Sequence, residues 1–376
     1  MEIRLALVGD VMLARAIDQV QRSSVAPELR EPAVTDARDY IALAERASGT
    51  IPRGVSPSYV WGDAAEVIRG FAPHATVVNL ETSLTTSDEF ASDKGIHYRA
   101  HPDNVAVLDE LPEPIVSLAN NHVLDLGTAG LRETLRTVAA AEIPHSGAGE
   151  TLEHAQRPAI REVDRECAAT TARVATISCC AGDSGVGRDW SAGGETPGVF
   201  RLGSLGEDSL AMLGEVSDRA RHGADAADSI VVLSIHWGGN WGYEVAEEKR
   251  SFARAVVDRG IADVVHGHSS HHPRPFELRE EKLILYGCGD FINDYEGIGG
   301  HEEFQPWFSL LYLATLDSRS GRLADFRIVP FRMDRFRLQR ATAAEADAIA
   351  RRLSRENPPE GPGVEPTPDG LFIVPQ

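Results

Sequence analysis

Short apolar, β-branched runs alternate along this chain with amphipathic stretches. Leu5 to Val8, Thr76 to Leu80, Ile115 to Leu118, Val174 to Ser178, Ile230 to Ile235, Asp263 to Val265 and Leu283 to Tyr286 each read as a strand. Between them, Leu131, Leu135 and Val138 share one helical face in a segment that Pro144 ends. Phe252, Ala253, Val256 and Val257 form a second stripe, closed by Gly260. Repeated strand–helix alternation predicts an α/β layered fold. Near the C-terminus, Thr342 and Glu345 make a capping box that opens a helix from Ala343 to Arg352. The pattern divides into a main domain over residues 1–335 and a C-terminal helix and tail over 336–376. Two stretches break the alternation. Residues 21–58 are polar and proline-punctuated, an excursion expected near the site and able to act as a lid. Residues 357–369, rich in proline, glycine and glutamate, read as an extended tail. The chain shows no internal repeat.

Composition narrows the classes. At 376 residues the chain can bury a sizeable core. A formal charge of −20 argues against nucleic acid as partner, because phosphates are met by Lys and Arg. Cys167, Cys179, Cys180 and Cys288 form no CxxC pair, so reduced, partly buried thiols are expected. The apolar stretch in MEIRLALVGDVMLAR is short for a signal peptide, and no run approaches the roughly 20 apolar residues that span a bilayer. These features predict a cytoplasmic protein without a membrane partner.

The chemistry collects where strands end. The first ends in Gly9-Asp10 and the next in Asn79-Leu80-Glu81. SLANNHVLDLG follows, with Asn120, Asn121, His122 and Asp125. IVVLSIHWGGNWGYE ends its apolar run in His236, and ADVVHGHSSHHPRP carries His268 and His271. YGCGDFINDYEG brings Asp290, Asn293 and Asp294. Carboxylate, amide and imidazole ligands without cysteine suit a divalent cation outside a structural zinc site. Each residue alone has a plainer reading: Asp10 as a helix cap, Asn121 as a turn residue, His272 before Pro273 as surface. Their conjunction at strand ends points to one shared site.

GDVMLAR, NLET, ANNHVLDLG, IHWGGNWGYE, HGHSSHHP and LYGCGDFINDYEG resemble, in order, the motifs of CapA-like proteins. These form the poly-γ-glutamate capsule synthesis branch of the calcineurin-like metallophosphoesterase superfamily. The resemblance covers about residues 1–330 and implies a two-sheet β-sandwich flanked by helices, with the site at the strand ends. It implies metal ligands Asp10, Glu81, Asn121, His236 and His268, and His122 as acid or base. It also shows gaps. The superfamily's first motif, Asp-x-His, here ends in Met12, and its last, Gly-His-x-His, places Ser270 where the second histidine stands, with His271 as a substitute under the Gly-His-x-x-His spacing of CapA-like proteins. A thioether and a hydroxyl are poor replacements for imidazoles, so one well-held ion is expected rather than two. Mn²⁺, Zn²⁺, Mg²⁺ and Ca²⁺ all fit the ligand types.

A site with one weakened metal position leaves Asp10, His122, Asp125, His271 and Asp290 for proton transfer. Two His/Asp pairs flanking a substrate could epimerise a Cα beside a carbonyl. A branch of CapA-like proteins is associated with ribosomally made lasso peptides, including an epimerase of a C-terminal tryptophan. The expected activity is therefore peptide epimerisation, with metal-dependent phosphoester or amide hydrolysis, or a part in capsule biosynthesis, as the alternative. A third class is a non-catalytic binding protein on a decayed phosphatase fold. The expected partners are a peptide or a small phosphoester. Arg99, Trp237 and Trp241 are the candidate substrate contacts, against the alternatives of a surface salt bridge and core packing.

Overall fold

The computed structural model describes residues 1–92, 94–163, 171–221, 226–358 and 361–374. Cys167 lies outside the described residues.

Period-two alternation in the first strand, Glu2–Val11, decides the layering. Ile3, Leu5 and Leu7 point into one apolar cluster, while Ala6 and Val8 point into another. The first cluster is the filling between two sheets. Its other wall is built by Val174, Val232, Val264 and Leu283. The result is a two-sheet β-sandwich, as the motif resemblance implied.

In one sheet, Glu2–Val11 pairs in parallel with Ala75–Leu80, and that strand with Pro114–Ser117. On its other side it runs antiparallel to Phe308–Asp317, which pairs with Leu323–Asp334. The second sheet centres on Ala226–His236, parallel to both Thr171–Cys180 and Val264–His268. Helices cover the outer faces. Gly62–Phe71 and Gly127–Ala140 pack on the first sheet, and Glu207–Arg221 and Glu247–Asp258 on the second. Each buries a stripe such as Phe252, Val256 and Val257. Among the described residues, no helix is long and apolar enough to cross a membrane. Cys179, Cys180 and Cys288 are buried free thiols.

The C-terminal end differs from expectation. The capping box forms and the helix runs Ala343–Glu356, burying Ile349 and Leu353 in the inter-sheet cluster. Beyond it, the stretch read as an extended tail folds back as a hairpin. Gly363–Thr367 pairs with Gly370–Val374, which adds to Leu323–Asp334. Residues 21–58 leave and rejoin the fold at one place, where Gln21 bridges Val55. The excursion contains the helix Arg38–Ser48 and forms a wall beside the strand ends.

Candidate metal centre

Register brings the strand ends together. His236 lies directly across from His268 in the parallel ladder, so their imidazole Nδ1 atoms meet at 2.8 Å. His236 Nε2 is 3.1 Å from Asn121 Oδ1 and 3.8 Å from Glu81 Oε1. In the other sheet Asp10 stands beside both Asn79 and Asp290. That second pairing needs glycine at position 9, because a Cβ there would sit 1.7 Å from the Gly289 carbonyl oxygen. Asp10 accepts hydrogen bonds from Asn79 Nδ2 (2.7 Å) and the Ser269 amide (3.1 Å), and its Oδ1 lies 3.8 Å from His268 Nδ1. Ser269 adopts φ +100°, a strained value for a residue with a Cβ, and its N–H is thereby aimed at the carboxylate.

Two groups of donors result. Asp10, His236 and His268 each offer a ligand atom within 4.8 Å of the others, and so do Asp10, Glu81, His271 and Asp290. Asp10 belongs to both. The second group bears on the expectation of one well-held ion, because it offers donors at the position that Met12 and Ser270 weaken. Met12 is turned away, its sulfur accepting the Ala14 amide at 3.2 Å, and Ser270 Oγ donates to the His272 carbonyl at 2.9 Å. Asp290 and His271 nevertheless bring a carboxylate and an imidazole to that position. His272 is buried rather than on the surface: its Nε2 accepts the Gly242 amide, and its ring stacks on Phe304.

The electrostatics are those of a site shaped for cations. Burial, with Asp290 adding to it, pushes Asp10 up to about 7, against the opposing pull of Asn79, His271 and the Ser269 amide. Glu81 is raised well above the carboxylate range by burial first, then by Asp10 and Asp290. Burial and neighbouring imidazoles hold His236 and His268 well below the usual histidine value. A divalent cation reverses the pressure on the carboxylates, favouring their ionised form, and reinforces the one on the imidazoles, which must be neutral to bind it. The donors are all nitrogen and oxygen, so the residues fit Mn²⁺, Zn²⁺, Mg²⁺ or Ca²⁺.

Beside this floor opens a cleft of about 570 Å³ lined by His122, His271, Asn121 and Trp241, among others. His122 Nδ1 meets Asp125 Oδ2 at 2.6 Å, and its ring stacks under Tyr98 with centroids 3.9 Å apart. That contact assigns the proton to Nδ1 and leaves Nε2 as the uncommitted nitrogen. Burial, with Lys94 adding to it, lowers His122 to about 4 against the pull of Asp125. His271 Nδ1 is paired in the same way with Asp290 Oδ1 at 2.9 Å. For His271 burial works downward, but Asp290 and Asp10 leave the group raised overall.

With this geometry, the family described as "Bacterial capsule synthesis protein PGA_cap" matches residues 4–295. The chain belongs to this family. A relative from Mycobacterium tuberculosis (strain ATCC 25618 / H37Rv), named "Probable polyglutamine synthesis accessory protein", is 42% identical over 374 residues, covering 99% of this chain and 96% of the relative. The PGA biosynthesis protein CapA of Bacillus subtilis (strain 168) is 27% identical over 290 residues, 77% of this chain and 63% of the longer relative. Among solved structures, a phosphatase from Mycoplasma pneumoniae aligns with a TM-score of 0.43 and 11% identity, covering 88% of this chain and 93% of that one. That likeness is too distant to bear on function.

Not every expected residue of this PGA_cap chain reaches the site. Asp10, Glu81, Asn121, His236, His268, His271 and Asp290 converge, with His122 and Asp125 beside them. Trp241 lines the cleft, its ring stacked on His301 at 3.9 Å. Trp237 does not: it is buried, donates to the Tyr286 carbonyl and packs against Phe252 in the helix-facing core. Trp237→Ala is expected to cost about 3–5 kcal/mol of stability, the usual loss for a buried tryptophan. Denaturant unfolding measures this, and an unchanged midpoint would count against the core assignment. Arg99 holds the Ser87 and Ala26 carbonyls and lies over Phe90, outside the cleft lining.

Two cations of the cleft were missed from the sequence. Arg15 is buried, pairs with Asp294 and Glu31, and lies 4.0 Å from the Tyr40 ring centre. It stands in GDVMLAR, and its partner Asp294 in YGCGDFINDYEG, so both were within the quoted motifs. Lys94 pairs with Asp125 Oδ1 at 2.5 Å and reaches the Asn121 carbonyl. Nothing in its local sequence marks it.

Proposed function

We propose that this chain is a metal-dependent hydrolase of the capsule-synthesis kind, cleaving an amide or phosphoester bond at a centre with room for two divalent ions. The observation that carries this reading is the pair of donor groups sharing Asp10, which reach the lining of one cleft through His271 and the neighbouring Asn121. Asp10, His236 and His268, with Asn121 beside them, would hold one ion; Asp10, Glu81, His271 and Asp290 the other. When bound, such ions supply Lewis-acid polarisation of a carbonyl or phosphoryl group. The chain's own residues do the rest. Asp125 fixes the His122 ring and its tautomer, so Nε2 can take a proton from, or give one to, a group in the cleft. Tyr98, stacked on that ring, limits its rotation. The relatives' names support a place in the making of a peptide polymer.

Cα epimerisation draws its support from the two dyads, His122–Asp125 and His271–Asp290, whose histidines both line the cleft. No relative reported above carries a name that suggests it, and His271 falls within a donor group, which removes it from free proton transfer. Hydrolysis is the better reading.

The test uses His122→Ala. Metal content should stay unchanged while release of phosphate or amine falls by roughly 10²–10⁴-fold. Solvent deuterium entering a peptide Cα without release of any fragment would instead establish epimerisation. Metal-replete protein that neither cleaves nor exchanges would reduce the chain to an accessory binding role.

A further inference from the structure

Among the described residues, four large hydrophobic side chains stand exposed: Met1, Ile96, Met212 and Ile298. Ile96 (43% exposed) and Ile298 (39%) come from loops some two hundred residues apart in sequence, yet both line the cleft above the metal-donor floor. Isolated exposed apolar residues need no explanation. Two from separate loops meeting at one concave site do. The loop bearing Ile298 is built to hold its place. Gly297 adopts φ +81°, and a Cβ there would lie 2.5 Å from the Leu43 carbonyl oxygen, so only glycine lets the loop pack against the helix Arg38–Ser48.

The charges of the cleft point the same way. Its lining contains one arginine and one lysine, and each is already neutralised. Arg15 is held between Asp294 and Glu31, and Lys94 against Asp125. Neither is free to meet the negative charges of a polyanion without leaving a buried carboxylate unpaired. Besides Asn121 and the His122 and His271 imidazoles, the lining offers apolar and aromatic surface from Ile96, Ile298, Tyr98 and Trp241, with the Asn240 amide and the His301 imidazole, stacked on Trp241, among it. An amide donor and acceptor within apolar surface suits peptide groups. A cleft of about 570 Å³ has the size of an ordinary small-ligand site rather than a long acyl tunnel.

We propose that the mouth of this cleft is a specificity subsite for an apolar side chain of a peptide substrate, formed by Ile96 and Ile298 together with Trp241. The proposal rests on the hydrolase reading for what happens to the peptide, but not for its binding. The subsite selects a peptide with an apolar residue next to the bond presented to the metal floor, and it disfavours a uniform chain of glutamates.

The experiment is calorimetric titration of Mn²⁺-loaded full-length protein with blocked tripeptides, acetyl-Gly-X-Gly-amide, where X is Leu, Phe, Ser or Glu. A γ-linked glutamate oligomer and a fatty acyl amide are titrated in parallel. Leu and Phe peptides should bind at least about tenfold tighter than Ser or Glu peptides, the scale of discrimination a hydrophobic pocket provides. The double variant Ile96→Ser/Ile298→Ser should bring the four peptides to within about twofold of one another. Its metal content and melting temperature should be unchanged, because both side chains are already exposed. The proposal is overturned if the glutamate oligomer or the acyl amide binds as tightly as the Leu peptide. It is equally overturned if the preference survives in the double variant, or if no peptide binds at millimolar concentration. Failure of the hydrolase reading shows separately, as protein that binds the Leu peptide but never cleaves a bond.

Discussion

Asp10→Asn should strip both metal positions and lower kcat/KM by more than about a hundredfold, the largest loss of metal expected from any single substitution in this site. Changes to residues that merely orient a metal ligand cost about 10–100-fold in metal affinity or activity. Asp10 is a candidate ligand in both donor groups, so its loss should exceed that range. The substitution keeps the side chain's size but removes the charge that balances two cations, and it opposes an amide nitrogen to one of the donors that now reach the carboxylate, Asn79 Nδ2 or the Ser269 amide. His236→Ala is the control. It removes a donor from one group alone, so one ion should remain in the group of Asp10, Glu81, His271 and Asp290. Metal analysis after gel filtration, with circular dichroism to confirm folding, reads both variants. If Asp10→Asn kept as much metal as His236→Ala, the shared-ligand arrangement would be wrong.

The sequence made the strand ends visible because burial leaves a plain mark: apolar, β-branched runs stopping at Asp10, His236 and His268. Parity along a strand was equally legible and explains the Trp237 error. Val231, Leu233 and Ile235 face the helices, and Trp237 continues their parity into the same core. His236 shares parity with Val232 and Ser234, on the opposite face. The hairpin at the end of the chain also had a signal that its composition masked. Pro368 and Asp369 before Gly370 form a two-residue connection between alternating apolar positions at Val364 and Leu371. The second donor group was a different matter. It depends on Asp290 lying beside Asp10, a pairing 280 positions apart in the chain that rests on the close approach of Gly9 to Gly289. No local pattern encodes such a register, so Asp290 was read as a proton carrier alone and the position it shares with His271 as weakened or lost. Arg15 and Lys94 were missed for the same reason, since their partners Asp294, Glu31 and Asp125 are set by tertiary contact.

Removing divalent cations with a chelator should lower the melting temperature, and the loss should deepen as pH rises from about 4 to about 7. In the metal-free protein, burial and the neighbouring Asp290 raise Asp10 from 3.8 to about 7, while Glu81 is pushed up by burial and by Asp10 and Asp290. A folded-state value above the unfolded one means that, within this window, the folded chain holds a proton that the unfolded chain has released. Stability then falls with rising pH until the folded group has also ionised. A bound cation removes this slope, because it binds the ionised carboxylates and adds its own binding energy to the folded state. His236 and His268 act in the other direction. Held below the usual histidine value, they cost stability as pH falls through 6.5. They must be unprotonated in the loaded protein too, so their effect largely cancels between the two forms. The informative quantity is therefore the difference in melting temperature between loaded and chelated protein, measured by calorimetry at half-unit steps from pH 4.5 to 8. It should widen up to about pH 7 and then level off. A difference that stayed constant across that range would mean that the buried carboxylates are not the groups the cation compensates.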